Sequence, residues 1–220
     1  MRSGKRFEMR RWPFPVGRRF FMHQLWYQLR YALPIWFVGL LTDWWPDNRI
    51  TIRLRGMLFR RFFRRCGRGL TLARRVTFLN LHGIEIGNNV YFATGAWVDG
   101  IGGVTIGDEV KISPYAVLAS SSHCFKDGSV ARGGSRTAPI VVGSGTWISS
   151  HVVVAAGSSI GRGCLIAGNA VVAGEVPDGV MAGGIPARVL RPTPQREPNV
   201  LKRFGPPPES VVETRSRTQR

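Results

Sequence analysis

Large apolar residues recur every six positions over much of the chain, and each is followed by a small or polar residue. The longest uninterrupted run consists of Val142, Ile148, Val154, Ile160, Ile166 and Val172. A helix requires a period near 3.6 and an alternating strand a period of 2, so neither explains this spacing. A fixed short period instead indicates a repeat architecture, in which each hexad is a short strand followed by a turn.

Two shorter runs have the same spacing, and they consist of Ile86, Phe92 and Val98, and of Ile106, Ile112 and Leu118. Three hexads would close one triangular coil, and stacked coils would bury a continuous apolar column. The pattern therefore predicts an all-β repeat fold, a parallel β-helix over residues 72–191, with an irregular first coil. An all-β sandwich with accidental spacing is the alternative, which six consecutive hexads in register oppose.

The six-residue period stops at residues 124–139, directly after Ser121, Ser122 and His123. We interpret this segment as a loop expelled from one corner of the column, where functional sites often lie. His123 is the leading candidate for chemistry, because a neutral imidazole is the usual general base for a hydroxyl group. A surface histidine that only forms hydrogen bonds is the alternative.

A metal site built from His82, His123 and His151 is a second alternative. Zinc requires three or four converging ligands, and the separations of these histidines along the chain do not align them on one edge of the column. We therefore expect no metal. Cys66, Cys124 and Cys164 form no CxxC pair, so we expect reduced thiols in a cytosolic protein.

Positive charge is concentrated before the repeats. Residues 1–75 hold 18 Lys and Arg against 3 Asp and Glu, whereas residues 76–190 hold 6 against 7. This segregation is typical of a protein with an anionic partner, either lipid head groups or nucleic acid. Because no nucleic-acid recognition motif accompanies the charge, we expect no specific nucleic-acid partner.

Residues 1–71 are basic and aromatic, and they suggest two helices. The first covers residues 20–41, with a break or kink at Pro34. The second covers residues 53–65, with Leu54, Leu58 and Phe62 on one face. Such helices are typical of an anchor at an anionic membrane surface, and packing over the end of the column as a cap is the alternative.

The remaining features concern the location of the chain. No run of 18 apolar residues occurs, so we expect no transmembrane helix. The basic N-terminus lacks a small-residue cleavage site, so we expect no secretory signal. Residues 192–220 are rich in proline and arginine, and we expect them to form a flexible tail.

The hexads, the Ser121–His123 segment, Pro139-Ile140, Thr146-Trp147-Ile148 and residues 182–188 together resemble the hexapeptide-repeat acyltransferases. The likeness is strongest to sugar O-acetyltransferases, including maltose and galactoside enzymes and those that modify exopolysaccharide or capsule. It implies a left-handed parallel β-helix, a homotrimer and acetyl-CoA as the donor. It also implies that His123 is the general base on a sugar hydroxyl, which attacks the thioester directly in a ternary complex.

The same resemblance implies roles for further residues. Trp147, Ser150, Gly168 and Ala173 match positions along the acetyl and pantetheine channel, and Arg188 and Arg191 match positions near the adenosine phosphates. Trp147 is also expected to contact the acceptor. Asp99 is the nearest carboxylate candidate to orient His123 or to bind the acceptor.

Three departures from the family pattern bear on the acceptor. Cys124 follows the histidine, where relatives often have an acidic residue or proline, and Ala93 and Ile101 occupy the positions of the galactoside-type acceptor residues. We therefore expect a sugar of an exopolysaccharide, capsule or lipopolysaccharide precursor rather than a small free sugar. The hypothesis is a cytoplasmic enzyme held peripherally at the inner membrane. The alternatives are an N-acyltransferase acting on an amino sugar and a non-catalytic module that binds membrane surfaces.

Overall fold

The computed structural model describes residues 10–11, 22 and 25–193. Most strands are parallel and form the three sides of a column, which the chain visits in turn. Side I contains β2 (Arg65–Cys66), β5 (Ile84–Ile86), β8 (Val104–Ile106), β13 (Ile140–Val142), β16 (Ser159–Ile160) and β19 (Glu175–Val176). Residues 1–9, 12–21, 23–24 and 194–220 lie outside the described residues, and the last of these ranges contains nearly all of the predicted tail.

Sides II and III complete each coil. Side II contains β3 (Thr71–Leu72), β6 (Tyr91–Phe92), β9 (Lys111–Ile112), β14 (Trp147–Ile148), β17 (Leu165–Ile166) and β20 (Val180–Gly183), to which β21 (Arg188–Pro192) adds an antiparallel strand. Side III contains β4 (Thr77–Leu79), β7 (Trp97–Asp99), β10 (Val117–Ala119), β15 (Val153–Val154) and β18 (Val171–Val172).

The hexad residues form the core, as predicted. All six members of the longest run are buried, and the shorter runs are buried with them. Phe78 and Phe92 stack edge to face with centroids 5.1 Å apart, so the apolar column is continuous between the first two coils. The structure confirms the predicted parallel β-helix.

The column begins earlier than the hexads indicated. Arg65–Cys66 already pairs with Glu85–Ile86 on side I, whereas the sequence predicted a helix up to Arg65. The helix, α2 (Thr51–Phe59), continues only as a 3-10 turn (Arg60–Phe62) before the backbone extends at Phe63. Phe63 is buried there against Phe78, at 4.9 Å between centroids, and this contact places the chain on the column.

The helix that precedes α2 changes character near Pro34. A π-helical turn (Gln28–Ala32) leads directly into α1 (Leu33–Thr42), with Pro34 in its first turn. Proline has no N–H to donate, so it is tolerated best at such a position. Leu33, Trp36, Phe37, Leu40 and Leu41 recur at helical spacing and are all exposed, and we call them the α1 apolar stripe.

The side of α2 that packs on the column is not the apolar face predicted from the sequence. Leu54 and Leu58 are exposed, whereas Arg55, Gly56 and Phe59 face the column. A Cβ at Gly56 would lie only 2.1 Å from the carbonyl oxygen of Leu70, so the helix approaches the column too closely for a side chain there. Among the described residues, no helix combines the length and the apolar character needed to cross a membrane.

Candidate active site

The predicted loop leaves the column at the corner between sides III and I. After Ser120, the chain forms β11 (Ser121–His123), a turn, a short helix α3 (Val130–Gly133) and β12 (Ser135–Thr137), and then rejoins side I at Ile140. Strand β12 pairs antiparallel with β11 and, on its other edge, with the backbone of β1 (Arg10–Arg11). The loop is thus a small sheet attached to a rigid corner.

His123 lies at the end of β11 and is exposed. Its backbone is opposite Ser135 in the sheet, and its Nδ1 lies 3.1 Å from the Ser135 hydroxyl oxygen. When Nδ1 carries the ring proton, it donates to this hydroxyl, and the Nε2 lone pair remains available to accept a proton from another molecule. The pairing thus gives the imidazole an orientation suited to a general base.

Asp99 supports the base of the loop rather than the imidazole. It is buried, and its Oδ1 accepts hydrogen bonds from Asn80 Nδ2 at 2.7 Å and from the Ile101 amide at 3.0 Å. Its Oδ2 accepts a hydrogen bond from the Ser121 hydroxyl at 3.3 Å. The expected contact with His123 is absent from the hydrogen bonds of the described residues, and Asp99 instead positions the first residue of β11.

Ser120 completes the support at this corner. Its buried hydroxyl donates to the carbonyl oxygen of Asp99 and accepts from the Gly102 amide at 2.8 Å. Because both bonds link adjacent coils, the departure point of the loop is fixed to the column. Ala173 lies at the same corner two coils further on, since Leu118 is in register with Val154 and Val154 with Val172.

Trp147 belongs to a different part of the column. It lies on side II, about half exposed, and its indole N–H donates to the Ser113 hydroxyl at 2.8 Å. Ser113 lies at the corner between sides II and III, so the indole is directed towards that corner. A hydroxyl acceptor for the ring N–H fixes the orientation of an aromatic surface that is open to solvent.

Ser150 and Gly168 lie together at this second corner. The Ser150 carbonyl accepts a hydrogen bond from the Asn169 amide at 3.1 Å, and a Cβ at Gly168 would lie 3.4 Å from the same oxygen. The residues at the turn are in the left-handed region, including Tyr115 (φ 58°) and His151 (φ 59°), whose rings stack with centroids 5.3 Å apart. Such backbone is unusual for bulky residues and marks a constrained surface.

Arg188 and Arg191 lie on β21, at the C-terminal end of side II, and both are exposed. The Arg188 guanidinium bonds only to the adjacent Ala187 carbonyl, at 3.0 Å, among the hydrogen bonds of the described residues. The predicted site residues therefore fall into separate groups. His123, Asp99 and Ala173 share one corner, whereas Trp147, Ser150 and Gly168 share another.

The three histidines do not converge. His82 contacts the rings of Tyr27 and Tyr31, and His151 stacks on Tyr115. In the described part of the chain, no group of three or more His, Cys, Asp or Glu residues could hold a metal ion. The sequence reasoning did not identify Ser135 or Ser113, because each acquires its role only through the register of the folded strands.

Comparisons with known proteins agree with this architecture. The family described as bacterial transferase hexapeptide (six repeats) matches residues 139–174. The galactoside O-acetyltransferase of Escherichia coli strain K12 is 31% identical over 146 residues, which cover 66% of this chain and 72% of that protein.

Two solved structures have the same fold. A hexapeptide-repeat-containing acetyltransferase from Vibrio cholerae, complexed with acetyl coenzyme A, has a TM-score of 0.64 and 28% identity over 74% of this chain and 88% of its own. A galactoside acetyltransferase in complex with coenzyme A has a TM-score of 0.67 and 27% identity over 76% of this chain and 83% of its own. Together with the hexads, these relationships show that the chain is an enzyme of the hexapeptide-repeat acetyltransferase family.

Proposed function

We propose that the protein transfers an acetyl group from acetyl-CoA to a hydroxyl of a sugar in a bacterial polysaccharide precursor. The observation that carries this proposal is the exposed imidazole of His123, whose Nδ1 lies within hydrogen-bond distance of the Ser135 hydroxyl. The relatives that bind coenzyme A or acetyl-CoA, and the galactoside enzyme among them, support the donor and the acceptor class.

The proposed reaction proceeds in one displacement on the thioester. Nε2 of His123 accepts the proton of the sugar hydroxyl while its oxygen attacks the acetyl carbonyl carbon. The resulting tetrahedral intermediate collapses with cleavage of the C–S bond, and the imidazolium returns the proton to the departing thiolate. The products are the acetyl ester and free CoA. Holding both substrates together supplies much of the acceleration.

The separation of the predicted residues supports a site shared between protomers. His123 projects from the corner of sides III and I, whereas Trp147 and Ser150 lie at the corner of sides II and III. In the proposed homotrimer, the His123 corner of one protomer faces the Trp147 corner of its neighbour. The pantetheine arm follows Trp147, Ser150 and Gly168 on one side of the crevice, with Ala173 on the His123 side. Arg188 and Arg191 bind the adenosine phosphates.

The helices before the column support a peripheral location at the inner membrane. The α1 apolar stripe is exposed, as are Leu54, Met57 and Leu58 of α2. Arg53, Arg60 and Arg61 lie exposed on α2 and the turn that follows it. Apolar insertion together with attraction of basic residues to anionic lipid is typical of interfacial binding. Such a location favours a lipid-linked acceptor.

The activity is tested by measuring thiol release from acetyl-CoA with candidate glycans. His123→Ala should lower kcat by about 10²- to 10⁴-fold, because it removes the base. Lys126→Ala, a change at an exposed residue of the same loop, is the matched control and should leave kcat near wild type. Full turnover in His123→Ala would refute the assigned base. Alkali lability of the product distinguishes an ester from the amide that N-acyl transfer would give.

The shared site is tested by mixing two inactive variants. His123→Ala supplies an intact Trp147 corner and Trp147→Ala an intact His123 corner. If the sites form between protomers, unfolding and refolding an equimolar mixture should restore activity that neither variant has alone. If both residues act within one protomer, mixing restores nothing.

The membrane location is tested by flotation with vesicles that contain an anionic lipid. Wild type should float at low salt and dissociate as salt rises, because screening weakens the attraction of the arginines. Replacing Phe37 by Ser should weaken flotation without changing the fold. A wild-type protein that remains unbound at low salt contradicts the proposal.

A further inference from the structure

A cavity of about 450 Å³ lies between α1 and the first coil of the column. Its walls are mainly apolar, and Ile35, Trp36, Leu40, Phe59, Val76 and Phe78 contribute to them. This space is larger than a packed helix interface normally leaves open.

Arg55 holds one wall of the cavity in place. The side chain of Arg55 is buried and lines the cavity, and its Nη atoms bond to Asp47 and to the carbonyl oxygens of Thr42, Trp45 and Leu72. Its Nε–H is buried without a hydrogen-bond partner among the described residues. Because this atom is also closed to a water-sized molecule, Arg55 supports the wall of the cavity and does not present its Nε–H to a ligand.

The cavity is continuous with the exposed apolar surface. Trp36 and Leu40 line the cavity and also belong to the α1 apolar stripe, where they are 62% and 46% exposed. Asp43 and Arg75, both exposed, lie at the cavity as charges of opposite sign. Because the stripe and the cavity share Trp36 and Leu40, a hydrocarbon chain on the stripe can extend into the cavity at these two residues.

We propose that this cavity binds the hydrocarbon chain of an anionic membrane amphiphile, with its polar head group at the exposed Arg75, which lines the cavity. Apolar walls suit the chain. The arginine-rich surroundings favour an anionic amphiphile over a neutral one. The proposal concerns the cap of the column and does not depend on acetyl transfer.

Gly39 provides a direct test. It lines the cavity, and a Cβ built on it meets nothing within 4 Å, so a larger side chain there would occupy space that is open to a ligand. The probe is 11-(dansylamino)undecanoic acid below its aggregation concentration, followed by fluorescence. Wild type should bind saturably with one site per chain, and Gly39→Leu should weaken binding by about tenfold or more. Gly39→Ala, which leaves most of the space open, should bind almost as wild type does.

A second variant separates the cavity from general adsorption. Ile50, directly before α2, is exposed, lies outside the stripe and does not line the cavity. Ile50→Ser should leave the affinity for the monomeric probe within about twofold. If Ile50→Ser abolishes binding and Gly39→Leu does not, the probe adsorbs to the outer surface and the proposal is overturned.

Competition identifies the kind of chain. Dodecyl phosphate and farnesyl phosphate have the same head group and chains of similar carbon number, one straight and one prenyl. Displacement of the dansyl probe by either compound supports the proposal, and the stronger competitor indicates an acyl or a prenyl chain. Failure of both to displace it overturns the proposal. Acetyltransferase activity is measured separately, so failure of either proposal is distinguishable from failure of the other.

Discussion

The column and the helical cap (residues 25–63) differ in which kinds of side chain they bury. In the column, the large residues of the hexads are buried, although some other large side chains, such as Tyr115 and Trp147, are exposed on its outer surface. In the cap, the α1 apolar stripe faces outwards, whereas Arg55 is only 3% exposed. In the cap, a charged side chain is therefore buried and many apolar side chains are exposed.

The difference separates residues that stabilise the fold from residues available to a partner. Each hexad residue gains stability by leaving water, because its neighbours in adjacent coils close around it. Phe59 and Phe63 join the cap to the core of the column. The cap is held in addition by Arg55, whose guanidinium joins the carbonyl groups of Thr42, Trp45 and Leu72. Substitutions in the column should therefore lower stability, and substitutions on the stripe should change binding.

The largest effect is expected for a buried aromatic residue of the column. Phe92→Ala should lower the free energy of unfolding by about 3–5 kcal/mol, because it leaves a cavity beside Phe78. The matched substitution on the stripe, Phe37→Ala, should change it by less than about 0.5 kcal/mol. Denaturant unfolding measures both. Equal losses would mean that the stripe is part of the folded core.

Removal of the charge inside the cap should have a comparable or slightly smaller effect. Arg55→Met keeps much of the side-chain volume but leaves the three carbonyl groups without their donor, at a cost of about 3 kcal/mol. Hydrogen exchange should be faster in the variant than in wild type for the amides of α1 and α2, and unchanged for those of side III. Arg53→Met, on the exposed face of α2, is the control and should leave exchange unchanged. Uniform acceleration throughout the column would contradict a local role for Arg55.

Substitutions at two glycines test a closely packed and an unpacked position of the helices. Gly56→Ala should destabilise by about 1–3 kcal/mol, because the new Cβ would meet the Leu70 carbonyl oxygen. Gly39→Ala should stabilise by about 0.5–1 kcal/mol, because it favours the helix and meets no atom. Thermal unfolding of both variants gives the sign. A stabilising Gly56→Ala would show that α2 does not pack closely on the column.

The smallest effect is expected at Cys66, where the cap meets the column. Burial raises the pKa of the Cys66 thiol above its ordinary value, and the positive charge of Arg60 partly offsets this increase. The thiol should therefore react more slowly with iodoacetamide near neutral pH than an exposed cysteine does. Arg60→Gln should slow alkylation further, because it removes the charge that favours the thiolate. Faster alkylation would contradict this assignment.

The sequence predicted the column because each coil repeats one physical requirement. Residues such as Val142 and Ile148 must be large and apolar in every coil, so the pattern is local and regular. The first strand escaped this reasoning because Cys66 lacks the size of the other inward residues. The side of α2 that packs on the column could not be predicted from the hydrophobic pattern. Its burial depends on the absence of a side chain at Gly56 and on the hydrogen bonds of Arg55, and neither residue is apolar in the way that the pattern requires.

The position of the candidate site along the chain could be predicted from the sequence, but the contacts between its side chains could not. The break in the period identified the loop and His123 at its start. The contact between His123 and Ser135 depends on the pairing of β11 with β12, which the hexads do not encode. The roles of Trp147, Ser150, Gly168, Ala173, Arg188 and Arg191 in donor binding stay predictions, as does contact of Asp99 with the acceptor.

The loop at the corner of sides III and I leaves the ladders of the column intact. Leu118 pairs with Val154 and Ile106 with Val142, as if the intervening residues 120–139 were absent. We therefore expect that the length and the sequence of this loop can change without altering the pairing of the column strands on either side of it. Specificity can diverge there while the scaffold stays unchanged, provided that the graft preserves the anchoring hydroxyl of Ser120.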